Sequence, residues 1–289
     1  MSNIHAALAD AVIARIEPGT DPRLAQIVAA LVRHLHAFAR EVKLSEAEWK
    51  AGIDFLTATG RKCDDQRQEF ILLSDTLGLS MLVDALNHPT GGQSTDTTVL
   101  GPFFVENAPA LANGADIASG DQGEPAFVAG RVLDTRGAPI AGATIDVWQT
   151  DGEGFYDVQR PERSAQQGEM RLRGSFASDA QGRFAFRTVK PVSYPIPVDG
   201  PVGQMLLKLG RHPYRPAHIH FKIAAPGRQT LVTHLFARGD RYLDSDAVFG
   251  VKPSLIVDFV EHAPGKAPDG SDVARPFFTL AHDFVLAPA

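Results

Sequence analysis

The chain has 289 residues, with 28 Lys and Arg against 34 Asp and Glu, a formal charge of −6 and 44% hydrophobic residues. This is globular composition, long enough for a sizeable core, and its acidic balance argues against non-specific nucleic-acid binding, which needs a basic surface. No apolar run reaches the roughly 18 residues of a membrane span, no basic stretch precedes an apolar core at the N-terminus, and one cysteine, Cys63, excludes disulfide frameworks and cysteine metal clusters. A cytoplasmic protein with no membrane span is expected.

Residues 1–88 hold 2 of the 20 prolines and 4 of the 26 glycines. Both residues disfavour helix interiors and favour turns, so the first part reads as helical and the rest as turn-rich. Asp21-Pro22 reads as an N-cap with proline in the first turn, ahead of Leu24, Ile27, Val28, Leu31, Leu35 and Phe38 at helical spacing. Ser45 and Glu48 form a capping box before Trp49, Ile53, Phe55 and Leu56. A third helix opens at Asp64 and runs through Phe70, Leu73, Leu77, Met81 and Leu86 to the break before Pro89. After about residue 125 short strands alternate with turns. One hairpin is predicted from residues 128–133 and 143–148, another from 174–178 and 183–189. Single strands follow at 218–223, 231–236, 255–260 and 277–285. The fold class expected is mainly β: an α-helical N-terminal region, residues 1–100, followed by a β-sandwich, residues 101–289.

The sharpest local feature is Arg215-Pro216-Ala217-His218-Ile219-His220-Phe221. Residues two apart on a strand share a face, so His218 and His220 present two imidazoles to one ion. Imidazole suits zinc, iron, copper or nickel, and the spacing selects none of them. A pair of hydrogen-bonded surface histidines is the competing reading. There are only four tyrosines. Tyr156 follows the strand ending at Trp148, and Tyr194 lies in residues 191–197, too rich in proline for an inner strand. A phenol, with a pKa near 10, ionises at neutral pH when it binds a hard cation. Otherwise each tyrosine packs or turns, the reading preferred for Tyr214 and Tyr242. Cys63 reads as inert, and Asp240, Asp244 and Asp246 as a solvated loop. No nucleophile elbow, P-loop, dinucleotide motif or zinc helix is present.

Taken in order, Tyr156, Tyr194 and Gly210-Arg211-His212-Pro213-Tyr214-Arg215-Pro216-Ala217-His218-Ile219-His220-Phe221 resemble the intradiol ring-cleavage dioxygenases of aromatic catabolism. Leu100-Gly101-Pro102-Phe103-Phe104, Gly154-Phe155-Tyr156 and Asp199-Gly200-Pro201 fall in that family's order, and the resemblance covers most of the chain. It implies an Fe(III)-dependent enzyme with one non-haem iron per subunit held by Tyr156, Tyr194, His218 and His220. The iron would act as a Lewis acid, stabilised as Fe(III) by the two phenolates. Tyr194 would take up a substrate proton, and Arg215 would stabilise the electron-rich ring. The resemblance further implies a homodimer formed through the helices of residues 1–100, with a phospholipid bound between them. Helices that simply cover the sandwich are the competing reading.

Within the family the resemblance is to its hydroxyquinol-cleaving branch, through residues 69–78, Tyr194-Pro195-Ile196-Pro197-Val198-Asp199-Gly200-Pro201 and residues 242–252. Catechol-cleaving members usually lack Pro-Ile-Pro there and carry glutamine at the position of His234. His234 stays open between assisting near the iron and packing in its strand. The implied pocket comprises Leu72, Asp75, Val99, Leu100, Gly101, Pro102, Phe103, Ile196, Pro197, Arg215 and Val248. Asp75 is its one acid, expected to face inward with Leu72 and Leu79 and to bind the third ring hydroxyl; a cap or intrahelical bond within Ser74-Asp75-Thr76 is the alternative. The expected activity is cleavage of hydroxyquinol with O2. The alternatives are catechol or chlorocatechol cleavage on the same fold, and a non-catalytic transthyretin-like binding module, whose hairpin pattern residues 137–145 share.

Overall fold

The computed structural model describes residues 4–64, 67–89, 92–118, 123–159 and 170–289. Its helices are α1 (Ile4–Ile13), α2 (Pro22–Glu41), α3 (Glu46–Arg61), α4 (Glu69–Thr76), α5 (Leu79–Asn87) and α6 (Pro201–Lys208). Asp21 caps α2, its carboxylate accepting the Leu24 N–H at 2.7 Å. In the capping box, Glu48 Oε2 accepts the Ser45 N–H at 2.8 Å and Ser45 Oγ accepts the Glu48 N–H at 3.3 Å. The third predicted helix is two helices. Gly78, at φ +75°, breaks it between α4 and α5, in a left-handed conformation that costs glycine nothing. Among the described residues no helix is long and apolar enough to cross a membrane.

The chain forms two compact units, Met1–Ala58 and Thr59–Ala289. The first holds α1, α2 and most of α3. Among its described residues only Ala9 and Ala29 are buried, and the apolar stripe of α2 lies exposed, Leu31 by 54% and Leu35 by 55%.

The second unit is a sandwich. One sheet contains β1 (Pro125–Asp134), β4 (Arg183–Val189), β10 (Val260–His262), β13 (Phe277–Ala281) and β14 (Phe284–Leu286). The other runs β3 (Arg173–Ala177), β2 (Thr144–Trp148), β7 (His218–Ala224), β8 (Leu231–Ala237) and β9 (Ile256–Val257). Two small ladders pair β5 (Tyr194–Pro195) with β6 (Tyr214–Arg215), and β11 (Gly265–Lys266) with β12 (Asp272–Val273). Val128, Val132, Phe184, Phe186 and Phe284 from the first sheet meet Ile145, Val147, Ile219, Phe221 and Leu235 from the second in one buried core.

Neither predicted hairpin forms. β1 pairs with β4, β13 and β14, whereas β2 pairs with β3 and β7, so the turn at residues 135–139 carries the chain from one sheet to the other. The turn at residues 179–182 does the same between β3 and β4. An alternating strand must bury one face, and a partner across the sandwich serves that need as well as one alongside. The predicted strand 255–260 divides into β9 and β10, and 277–285 divides into β13 and β14. These last two lie parallel to different stretches of β1, residues 126–129 and 132–134.

Candidate metal centre

Alternation along β7 sends Ile219, Phe221 and Ile223 into the core and leaves His218 and His220 on the opposite face. Register places His220 between Trp148 of β2 and His234 of β8. The Trp148 ring stacks on His220, with centroids 4.7 Å apart and planes 17° apart. The β5–β6 ladder sets Tyr194 beside Arg215. Tyr156 lies in the loop after β2, its N–H donating to Gln159 Oε1 at 2.9 Å.

Four donor atoms from these elements close a ring. Tyr156 Oη lies 3.1 Å from Tyr194 Oη and 2.8 Å from His220 Nε2. His220 Nε2 is 3.1 Å from His218 Nε2, which is 3.5 Å from Tyr194 Oη. Donors bound about 2 Å from one ion sit about 3 Å from one another, so these spacings fit a single metal ion. The ring edges agree. His218 Nδ1 donates to the Pro216 carbonyl at 2.7 Å, and His220 Nδ1 lies 2.7 Å from His234 Nε2. With both Nδ1 positions engaged, the two Nε2 atoms turn toward each other at 3.1 Å, placed to share one cation.

Burial sets the protonation. It pushes the Tyr156 phenol well up, helped by Tyr194, and pushes Tyr194 up despite the Arg215 charge. Burial and Arg215 drive His218 down to about 3; burial and neighbouring imidazoles drive His220 and His234 well down. The imidazoles are therefore neutral and available as ligands. A bound cation would lower both phenol pKa values, reversing the sign of these shifts, so that Tyr156 and Tyr194 would bind it as phenolates with their protons lost to solvent. The ring nitrogens of His218, His220 and His234 lie within 4.8 Å of one another, yet these residues do not make a three-histidine site. His234 Nε2 is engaged by His220 Nδ1, across that ring from Tyr156.

Arg215 is buried beside the donors. Its Nε and Nη2 donate to Asp246 at 3.2 and 3.3 Å, and Nη1 lies 3.3 Å from His218 Nε2. Asp246 also accepts the Val248 and Gly250 N–H groups at 3.2 and 2.9 Å. Burial opposes both charges, but the pairing outweighs it, holding Arg215 charged and the Asp246 carboxyl below its usual range. The solvated-loop expectation fails for Asp246, which is only 5% exposed. Asp240 holds the Ala217 and Tyr242 N–H groups, and Asp244 is exposed. A second buried guanidinium, Arg173, donates through Nε to Asp157 at 2.7 Å and through Nη1 to the Phe103 carbonyl at 3.0 Å. It ties the Tyr156 loop to the segment containing Gly101 and Phe103. No sequence signal marked these pairs, because their members stand 31 and 16 residues apart in different elements.

The predicted pocket residues divide by position. Leu72 packs against Ile196 and Val248. Phe103 stacks on Tyr156 with centroids 4.4 Å apart. A Cβ on Gly101, at φ +78°, would come 3.1 Å from His220 Cε1, so only glycine lets that backbone lie against the histidine. Val99 and Pro197 are half-buried; Leu100 and Pro102 are exposed. Asp75 is 6% exposed, and its Oδ1 has no hydrogen-bond partner among the described residues. Ser74 bonds Ser80 instead, and Thr76 bonds the Leu73 carbonyl. Leu79, expected to face inward with Asp75, is exposed. Tyr214 and Tyr242 stack on each other, 4.7 Å apart and 1° from parallel.

Residues 99–288 match the family described as "Dioxygenase", and residues 21–95 match "Catechol dioxygenase N terminus". The chain belongs to the intradiol ring-cleavage dioxygenase family. This intradiol dioxygenase is 56% identical to a 6-chlorohydroxyquinol 1,2-dioxygenase from Cupriavidus pinatubonensis, over 97% of this chain and 96% of that protein. It is 51% identical to a hydroxyquinol 1,2-dioxygenase from Rhodococcus opacus, over 99% of this chain and 94% of that one. The crystal structure of hydroxyquinol 1,2-dioxygenase from Pseudomonas putida DLL-E4 superposes with TM-score 0.91 at 51% identity, covering 99% of both chains. That of catechol 1,2-dioxygenase from Pseudomonas arvilla C-1 gives 0.82 at 29% identity, covering 100% of this chain and 93% of the other. The chain is thus an enzyme with its family's fold, and the binding-module alternative is set aside. The family uses non-haem iron, and the donor set fits such an ion.

Proposed function

We propose that this intradiol dioxygenase cleaves hydroxyquinol (benzene-1,2,4-triol) between its two adjacent hydroxyl-bearing carbons. Each of those carbons gains one oxygen atom of O2, giving 3-hydroxy-cis,cis-muconate, which tautomerises to maleylacetate. The observation that carries this reading is the closed donor ring of Tyr156, Tyr194, His218 and His220, in a chain about half identical end to end to proteins named for hydroxyquinol.

Those four residues hold one Fe(III) per subunit, which supplies Lewis-acid activation of the aromatic diol. The chain's own groups do the rest. Tyr194 accepts a substrate hydroxyl proton at its phenolate oxygen. Arg215, fixed by Asp246, directs Nη1 toward the donor ring and stabilises negative charge on the opening ring. The substrate pocket takes Leu72, Ile196 and Val248, which pack in one cluster, Gly101 and Phe103, which lie against His220 and Tyr156, and Val99, Leu100, Pro102 and Pro197. Asp75, within electrostatic reach of Arg215 and Asp246, offers its unpartnered oxygen to the third hydroxyl.

Dimerisation falls to the helices within residues 1–100, while the four iron ligands and Arg215 come from residues 101–289 and Leu72, Asp75, Val99 and Leu100 reach the same site from the N-terminal part. The reading includes a cytoplasmic enzyme that forms a homodimer with a phospholipid between its helices, and the exposed apolar stripe of α2 supports the apolar contact this needs. The test is a visible spectrum of the iron-loaded protein before and after anaerobic addition of hydroxyquinol. A phenolate-to-iron charge-transfer band that shifts with substrate is expected, with faster oxygen uptake on hydroxyquinol than on catechol. Faster uptake on catechol or a chlorocatechol would reassign the substrate, and a protein left colourless by ferric iron would reject the ligand set.

A further inference from the structure

The two histidines of the donor ring are anchored by different acceptors. For His218 it is a backbone carbonyl; for His220 it is the ring nitrogen Nε2 of His234, 2.7 Å away. The β7–β8 register puts His234 directly opposite His220, and strand alternation turns both to the same face. His234 Nδ1 in turn lies 3.0 Å from Thr98 Oγ1. Thr98 is itself placed by its N–H, which donates to the Val232 carbonyl at 2.8 Å. All three residues are buried.

A neutral imidazole carries one proton, so its two nitrogens take opposite roles. With the Nε2 lone pair of His220 turned to the donor ring, its proton sits on Nδ1 and is donated to His234 Nε2. His234 then carries its own proton on Nδ1 and donates it to Thr98 Oγ1. The reverse order also pairs the ring nitrogens, but it places the proton on His220 Nε2 and leaves that atom no lone pair for the ion, so only this order is compatible with the iron site.

We propose that His234 is a positioning residue that fixes the tautomer and ring plane of His220 and, through Thr98, makes His220 the stronger donor of the two imidazoles. A ring nitrogen accepts a hydrogen bond more strongly than a carbonyl does, so it pushes more electron density onto His220 than Pro216 pushes onto His218. The inference rests on reading Tyr156, Tyr194, His218 and His220 as the iron site.

The experiment loads wild type, His234→Leu, His234→Gln and Thr98→Val with Fe(III). It then measures affinity against a competing chelator, the charge-transfer maximum and the Fe(III)/Fe(II) midpoint potential. His234→Leu should lose about 10- to 100-fold in affinity, raise the potential and move the band. His234→Gln, whose amide oxygen accepts the same bond, should recover most of the affinity at an intermediate potential. Thr98→Val touches no ligand and should shift the potential in the same direction by less. Wild-type affinity, band and potential in a folded His234→Leu would overturn the proposal. If that variant does not fold, wild-type potentials in both His234→Gln and Thr98→Val would overturn it. Absence of ferric binding by wild type would instead reject the underlying site.

Discussion

A carboxylate 6% exposed, with one oxygen unpartnered, is expensive to keep ionised. Burial raises the Asp75 pKa from its ordinary 3.8, Ser80 and the Arg215 charge only partly offset that, and Asp246 adds to the rise. The folded chain therefore holds this proton more tightly than the unfolded chain. Its contribution lowers stability as pH climbs from 3.8 through the raised folded value, and the loss is absent below that window. Asp75→Asn should flatten the corresponding fall in Tm, read by thermal unfolding between about pH 4 and 7. An unchanged slope would mean the carboxylate has a partner in solution. The same residue bears on selectivity. Asp75→Ala should cut kcat/KM for hydroxyquinol about 100-fold while leaving catechol within a few-fold, because only the triol presents a hydroxyl to lose. Equal losses on both substrates would remove Asp75 from the recognition of the third hydroxyl.

At the scale of elements, Gly130 marks where β1 changes partner. Upstream it runs beside β13 and downstream beside β14, and the His282 N–H donates to the Ala129 carbonyl at 3.0 Å at the crossing. A Cβ on Gly130 would fall 1.7 Å from the His282 carbonyl oxygen, a clash with backbone that no rotamer relieves. Gly130→Ala should therefore destabilise by about 3 kcal/mol, seen as a lower denaturant midpoint, while an unchanged midpoint would show that the β13–β14 bend relaxes freely. Two helix starts were legible in the sequence because caps are local: Asp21 and Ser45 bond groups three residues away, whereas the start expected at Asp64 lies at Glu69, Asp64 accepting the Arg67 N–H ahead of the helix. Strand partners were not, because apolar alternation states which face is buried and leaves open which strand lies alongside. Both predicted hairpins failed for that reason.

For the whole molecule, the question is what covers the helices. The stripe of Leu24, Ile27, Val28, Leu31, Leu35 and Phe38 is more than a third exposed at every position, beyond what isolated surface leucines account for. On the dimer proposal, Leu31→Glu combined with Leu35→Glu should convert the protein to monomers by light scattering, with the charge-transfer band of the iron site unchanged. A protein that is monomeric before substitution would leave those helices a different role. The donor ring lies wholly in the unit Thr59–Ala289, so the two readouts are independent.

The sequence alone determined the helical start, the turn-rich β region, and the ordered Tyr156, Tyr194, His218 and His220, since spacing along one strand and order along one chain are one-dimensional properties. Only the tertiary structure decided what stands beside those residues. Asp246 under Arg215, Arg173 between Asp157 and Phe103, and Thr98 and His234 behind His220 are contacts between distant segments. Each depends on sheet register and on burial, which make an isolated charge or imidazole costly and its partner indispensable, and neither is written in any local stretch of sequence.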